Sequence, residues 1–205
     1  MPNETSQRIY EEGNYGFMCA ELLDNNTYGT VNKIEGLVSV SLTFSQTTEQ
    51  KAADDNPSYV TTQSPLKGEG TITFFGMTKQ NYIDLYRNVT DASGALVFGR
   101  RGVAKRLGVS FFNTAVSATG KSTNKITLNN VLFSLPPFNS QTLQEDDTTI
   151  REFAIPVTCS AYSYTTRGGG KDTVTWSILN SETESALYNE FKEQIYIPDS
   201  ADEEL

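Results

Sequence analysis

The chain has 205 residues, room for one good-sized core, and its 11% aromatic and 20% charged content is that of a folding chain rather than a disordered one. A formal net charge of −9 argues against gripping nucleic acid through a broad basic surface, because phosphate affinity is mostly cationic. Histidine is absent, which removes Ser-His and Cys-His nucleophile pairs, histidine metal sites and the commonest general base.

Residues 1–14 are polar and read as an N-terminal arm, with no apolar run of the kind a secretory signal carries. No window reaches the length of a membrane span, so the expectation is a protein made and folded in a cytoplasm, with no membrane partner. A single β domain is expected over residues 15–198. Tyr15 to Leu23 is apolar enough to be its first strand, ending at the turn Asp24-Asn25-Asn26.

Leu37 to Ser45 alternates cleanly: Val38, Val40, Leu42 and Phe44 share one face, Ser39, Ser41, Thr43 and Ser45 the other. Gly68 to Phe75 repeats the phase, with Ile72 and Phe74 inward and Thr71 and Thr73 outward. Between the two strands, residues 46–67 are polar and include two prolines. Hairpin loops usually take about 2–5 residues, so this connection reads as a long extended arm that reaches a neighbour.

Thr78 is placed to cap a helix whose face is Tyr82, Leu85, Tyr86 and Val89, closed by the turn from Asp91 to Gly94. A basic run from Arg100 to Arg106 leads into a strand at Leu107 to Phe112. Ile126 and Leu128, then Val131, Phe133 and Leu135, form another strand whose inward phase slips at Asn129-Asn130, which predicts a β-bulge there. Phe153 to Ala161 reads as a strand; Pro156 within it predicts an edge position or local irregularity. Gly168 to Gly170 turns the chain into Val174, Trp176 and Ile178. Ser181 and Glu184 form a capping box for a second helix, and Ile195 to Pro198 is expected to add a short strand. From Glu182 onward eight acids face only Lys192, and residues 199–205 read as an acidic tail. These elements predict a mainly β chain, an antiparallel β-sandwich or half-barrel with one or two flanking helices and a long hairpin arm.

Several groups invite a functional reading, and each has a plainer one. Gly168-Gly169-Gly170 before Lys171 lacks the strand–loop–helix setting of a phosphate cradle and reads as a hairpin turn. Glu145-Asp146-Asp147 lacks the spacing of a hard-cation loop and reads as solvated charge. Arg100, Arg101, Lys105 and Arg106 are either an exposed loop or cations that face acids of another subunit. Tyr162 and Tyr164 share the face opposite their strand's core residues, which leaves an interface role open. Cys19 and Cys159 read as buried free thiols, with a single disulfide as the open alternative. No catalytic or metal-binding set and no cofactor site emerges.

The order of parts resembles the major tail tube proteins of long-tailed, non-contractile bacteriophages of Gram-positive hosts. The likeness runs through Thr27-Tyr28-Gly29-Thr30 and the Val-Ser-Val-Ser-Leu strand, then the loop with Ala52 to Asn56 and Tyr59, and Gly68 to Phe74. It closes on Ala186 to Phe191 and Ile195-Tyr196-Ile197-Pro198. The run from Gly99 to Arg106 departs from it, and no appended immunoglobulin-like domain is expected within these 205 residues.

The resemblance implies a structural, non-enzymatic virion protein that forms hexameric rings stacking into a tail tube, assembled in the host cytoplasm. Its partners would be further copies of itself, a tape measure protein, and tail tip and tail terminator proteins. Viral DNA would pass through without specific binding. Asp54, Asp55, Asn56 and Tyr59 are then the ring-stacking candidates and Arg100, Arg101, Lys105 and Arg106 the inter-subunit cluster. Ser39, Ser41, Thr43, Thr71 and Thr73 are candidates to line the lumen. The alternatives are a β-sandwich cell-surface or receptor-binding module, and a carboxylate-only hydrolase.

Overall fold

The computed structural model describes residues 10–23, 27–53, 56–87, 89–98, 104–117, 120–135, 152–165 and 171–198. The chain is mainly β. In order it forms β1 (Tyr10–Glu21), β2 (Asn32–Ile34), β3 (Leu37–Ser45), β4 (Thr48–Ala53), β5 (Asn56–Gln63), β6 (Lys67–Phe74) and α1 (Lys79–Leu85). Then come β7 (Arg106–Ser117), β8 (Gly120–Phe133), β9 (Phe153–Ser160), β10 (Tyr162–Thr165), β11 (Lys171–Val174), β12 (Trp176–Asn180) and α2 (Ser185–Glu190).

Eight strands make one antiparallel sheet in the order β2-β1-β7-β8-β9-β6-β3, with β12 joined to β8. β2 and β3 lie at opposite ends of this path, yet only Glu35 and Gly36 separate them in sequence. The sheet must therefore curl until its ends meet, which gives the expected half-barrel. Its interior holds the main core, including Phe17 and Cys19 of β1, Ile72 and Phe74 of β6, Val109 of β7, Val131 of β8 and Ile155 of β9, with Leu85 of α1. On the outside, α2 and the chain after it cover Met18, Phe112 and Leu179 with Tyr188, Phe191 and Tyr196.

Local chemistry explains most element ends. Thr78 caps α1 by accepting the Asn81 N–H at 3.2 Å. The helix stops at Leu85, a turn earlier than its apolar spacing predicts; Val89 is buried instead through a small loop in which its carbonyl accepts the Val97 N–H. The Asp91 carboxylate closes that loop by accepting the N–H groups of Ser93 and Ala95. β1 begins at Tyr10, within the segment expected to be an arm, and its pairing with β7 shifts twice, after Glu12 and after Tyr15. Gly16 sits in the second shift with φ +64, a conformation that glycine takes without strain.

The predicted bulge is present. Leu107 pairs with Val131 and Val109 with Leu128, so Asn129 and Asn130 together oppose Gly108. Pro156 does not mark an edge strand, because β9 lies between β8 and β6. Its carbonyl accepts the Ser134 N–H, which turns its imide nitrogen to the β8 side just past the last β8 pair, Phe133 with Val157. The Ser134 carbonyl, which would take the N–H that proline lacks, accepts the Tyr86 hydroxyl at 2.7 Å instead.

Three further expectations change. α2 starts after Glu184 without a side-chain cap; Asn180, not Ser181, closes the turn before it, its side-chain oxygen accepting the Glu182 and Thr183 N–H groups while the Glu184 carboxylate accepts the Asn180 N–H. Ser181 instead accepts the Thr123 N–H from β8. Ile195 to Pro198 forms no strand, although Ile195 and Tyr196 are buried. Tyr162 and Tyr164 are buried with Leu22 in a third small core, which satisfies their apolar faces inside the subunit. Both cysteines are free and buried, and burial pushes the Cys19 thiol up to about 12 and that of Cys159 to about 11.

Candidate functional site

The hairpin of β3 and β6 dominates one end of the molecule. Its register sets Ser39 against Thr73, Ser41 against Thr71, Thr43 against Glu69 and Ser45 against Lys67. One face is thus a ladder of hydroxyls closed by an ion pair, Lys67 to Glu69 at 2.5 Å. β9 continues that face, placing Ala154 beside Thr73, Pro156 beside Thr71 and Thr158 beside Glu69. Ser39, Ser41 and Thr43 are exposed and Thr71 is half-buried, while Thr73 is buried in the central strand between Ser39 and Ala154. The surface is polar, made of small side chains and close to neutral.

The opposite face packs inward, with one change of phase. The β3–β6 pairing shifts between Leu37 and Ser39, so Leu37 joins Val40, Leu42 and Phe44 against the core in place of Val38. The two strands approach closely at Gly70, where a Cβ would lie 1.9 Å from the Ser41 carbonyl oxygen. Only glycine fits there. Phe44 lies opposite Gly68 and covers it.

Residues 46–67 form a long hairpin arm, as expected, with strands that the sequence reading did not assign. β4 and β5 pair with each other, from Thr48 with Gln63 to Ala53 with Asn56, and prolong the β3–β6 hairpin as a two-stranded ribbon. At the junction Gln46 and Thr47 bond to Ser64 through side-chain and main-chain groups, and Pro65 follows. Residues 48–51 and 60–63 are exposed. The ribbon is thus held by its own ladder rather than by burial. Asn56 and Tyr59 lie on β5, and Pro57 to Tyr59 bulge against Ala52. Asp54 and Asp55, between the two strands, lie outside the described residues.

The basic cluster is not brought together in the described residues. Lys105 turns inward, donating to the Asp84 carbonyl at 3.1 Å and lying 3.5 Å from Glu21, which also holds Arg87. Arg106 is exposed at the start of β7. Arg100 and Arg101 lie outside the described residues, as do Glu145 to Asp147, Gly168 to Gly170, residues 1–9 and residues 199–205.

A groove of about 560 Å³ opens between β1 and the β2–β3 turn, walled by Tyr15, Phe17, Ile34, Leu37 and Phe75. Its walls are apolar and Lys33 pairs with Glu193 at its rim. Among the described residues, no group of three or more His, Cys, Asp or Glu side chains could hold a metal ion, and no helix is long and apolar enough to cross a membrane. The ribbon strands escaped sequence reading because they are mostly polar and their few apolar residues, Ala52, Ala53, Tyr59 and Val60, set up no period-2 face; the available signal was Thr48 to Ala53 and Val60 to Gln63 flanking the Asp54-Asp55-Asn56 turn residues. Comparison with known proteins returns no matching family model and no matching curated relative.

Proposed function

We propose that the chain is a structural subunit of a long, non-contractile phage tail tube, building hexameric rings that stack and let DNA pass without specific binding. The observation that carries this reading is the ribbon of β4 and β5, a prolongation of the core hairpin that is exposed over residues 48–51 and 60–63. A lone two-stranded hairpin is marginal in water, so such a ribbon is best explained by a surface that it lies against in an assembly. The outer edge of β3 has no ladder partner among the described residues and would be covered when rings close. The hydroxyl ladder of Ser39, Ser41 and Thr43 suits a lumen that must not hold DNA. Head-to-tail contacts through the ribbon then stack the rings.

Negative-stain micrographs of concentrated protein are expected to show rings or tubes of uniform bore. A species that stays monomeric at every concentration, even when seeded with tail-tip complex, would remove the proposal. The exposed rings of Tyr15 and Phe75 beside the groove favour one second reading, a glycan-binding module. A stable monomer that gives saturable hits on a glycan array would support it.

A further inference from the structure

β8 changes neighbours midway along its length. Between Asn124 and Leu128 it pairs with β12, and between Val131 and Phe133 with β9. The two residues between these stretches are the bulge, Asn129 and Asn130. At that point β9 and β12 fork apart, and β10 and β11 continue from them as a separate hairpin.

The main-chain groups of Asn129 are satisfied. The Asn129 N–H donates to the Thr175 carbonyl at 3.0 Å, and the Tyr28 hydroxyl donates to the Asn129 carbonyl at 2.5 Å. The Cys159 thiol also donates to the Thr175 carbonyl, at 3.6 Å. The side chains are another matter. Asn129 Nδ2, Asn130 Oδ1 and the Tyr162 hydroxyl are all buried with no hydrogen-bond partner in the protein, on residues 1%, 7% and 9% exposed. Tyr162 pairs with Val174, next to Thr175, and packs with the same Tyr28 whose hydroxyl also lies 3.2 Å from Asn129 Oδ1.

A buried polar group left without a partner costs about 1–3 kcal/mol, and folded chains hold few of them. Three on adjacent elements of one fork call for a ligand. The set contains a donor in Nδ2, an acceptor in Oδ1 and a hydroxyl that can do either. A cation is repelled by the Nδ2 donor, and an anion by the Oδ1 acceptor. A small neutral molecule that both donates and accepts matches all three, and sites of this kind hold water.

We infer that the fork between β9 and β12 is an internal hydration site whose water joins Asn129 Nδ2 to the Tyr162 hydroxyl, with Asn130 Oδ1 as a further acceptor at the same bulge. The water pins the bulge to the β10–β11 hairpin and so fixes the register at which β8 passes from one partner to the other.

A crystal structure that orders solvent, paired with thermal melts of Tyr162→Phe, tests this. The expected results are a water within hydrogen-bonding distance of both groups, and a melting midpoint lowered by about 2–4 °C as the water loses an anchor. An Asn129 amide turned over to bond Tyr162 directly, with no solvent in the fork, would overturn the inference. So would an unchanged or raised midpoint, the outcome when an orphaned hydroxyl is simply removed.

Discussion

Phe44 of β3 lies against Trp176 of β12, with ring centroids 5.9 Å apart and planes 23° from parallel. The contact joins two strands that are not hydrogen-bonded neighbours. It braces the hairpin that carries the ribbon. Trp176 is 42% exposed and Ile178 47%, although both pair with inward-facing residues of β8, Leu128 and Ile126. Phe44→Leu keeps apolar bulk but removes the stack, with an expected loss of about 0.5–1.5 kcal/mol. Trp176 is the sole tryptophan, so its emission should shift to the red while far-ultraviolet dichroism stays unchanged. Unchanged emission would mean that the rings are not in contact in solution.

Excising Thr48 to Gln63 and joining Thr47 to Ser64 should leave a subunit that folds and melts close to the parent. Residues 48–51 and 60–63 of the ribbon are exposed and belong to none of the three cores, and Ser64 already bonds to Thr47. A wider cut through Lys67 would damage the sheet, because Lys67 pairs with Ser45 and Ser160, and the Leu66 carbonyl accepts the Ala161 N–H. Under the proposed function the excised subunit forms no stacked tubes in the electron microscope. Tubes of normal length from this variant would separate the ribbon from stacking.

Legibility in the sequence followed the range of the forces involved. The faces of β3 and β6 were readable because a half-buried strand writes its environment at every second residue. The bulge at Asn129 was readable because it breaks that rule locally, and the Thr78 cap because it needs only neighbours. What stayed hidden depends on partners distant in the chain. Pro156 sits in an interior strand because the Tyr86 hydroxyl, distant in the chain, gives the Ser134 carbonyl the donor that proline lacks. Tyr162 and Tyr164 find apolar cover in Leu22, which no alternation within their own strand reveals. The ribbon has no alternating apolar face, so its ladder is what marks it as structure.

Gly70 should tolerate no side chain. A methyl group there would meet the Ser41 carbonyl and the Leu42 backbone at 1.9 and 2.9 Å, and backbone cannot step aside as a side-chain tip can. Gly70→Ala is expected to cost more than about 3 kcal/mol, in the range reserved for overpacked cores and strained backbone. Gly76→Ala is the matched control, since nothing lies within 4 Å of its Cβ position. Urea midpoints that fall equally for both variants would show that the close approach of β3 to β6 is not the cause.

Lys125 should govern the alkaline behaviour of the fold. Its ammonium is fully buried on the outer face of β8. It donates to the carbonyls of Phe191, Lys192 and Gln194 just beyond α2, and sits 5.6 Å from the centre of the Phe112 ring. Loss of its solvation pulls its pKa from 10.5 down to about 8, against the nearby Glu193 carboxylate that holds it up and with the Lys33 charge that lowers it. Below about 8 both folded and unfolded chains carry the proton, and the cost of burying the charge is present in full. Between about 8 and 10.5 the unfolded chain binds a proton that the folded chain has released, so stability from this group rises with pH. Lys125→Met leaves the three carbonyls without their donor and should cost about 1–3 kcal/mol at neutral pH. The stability gap in favour of the parent should then widen as pH climbs through that window, read from urea unfolding of both proteins. A gap that stays constant would place the titration of Lys125 elsewhere and leave it a purely geometric tie between β8 and the C-terminal segment.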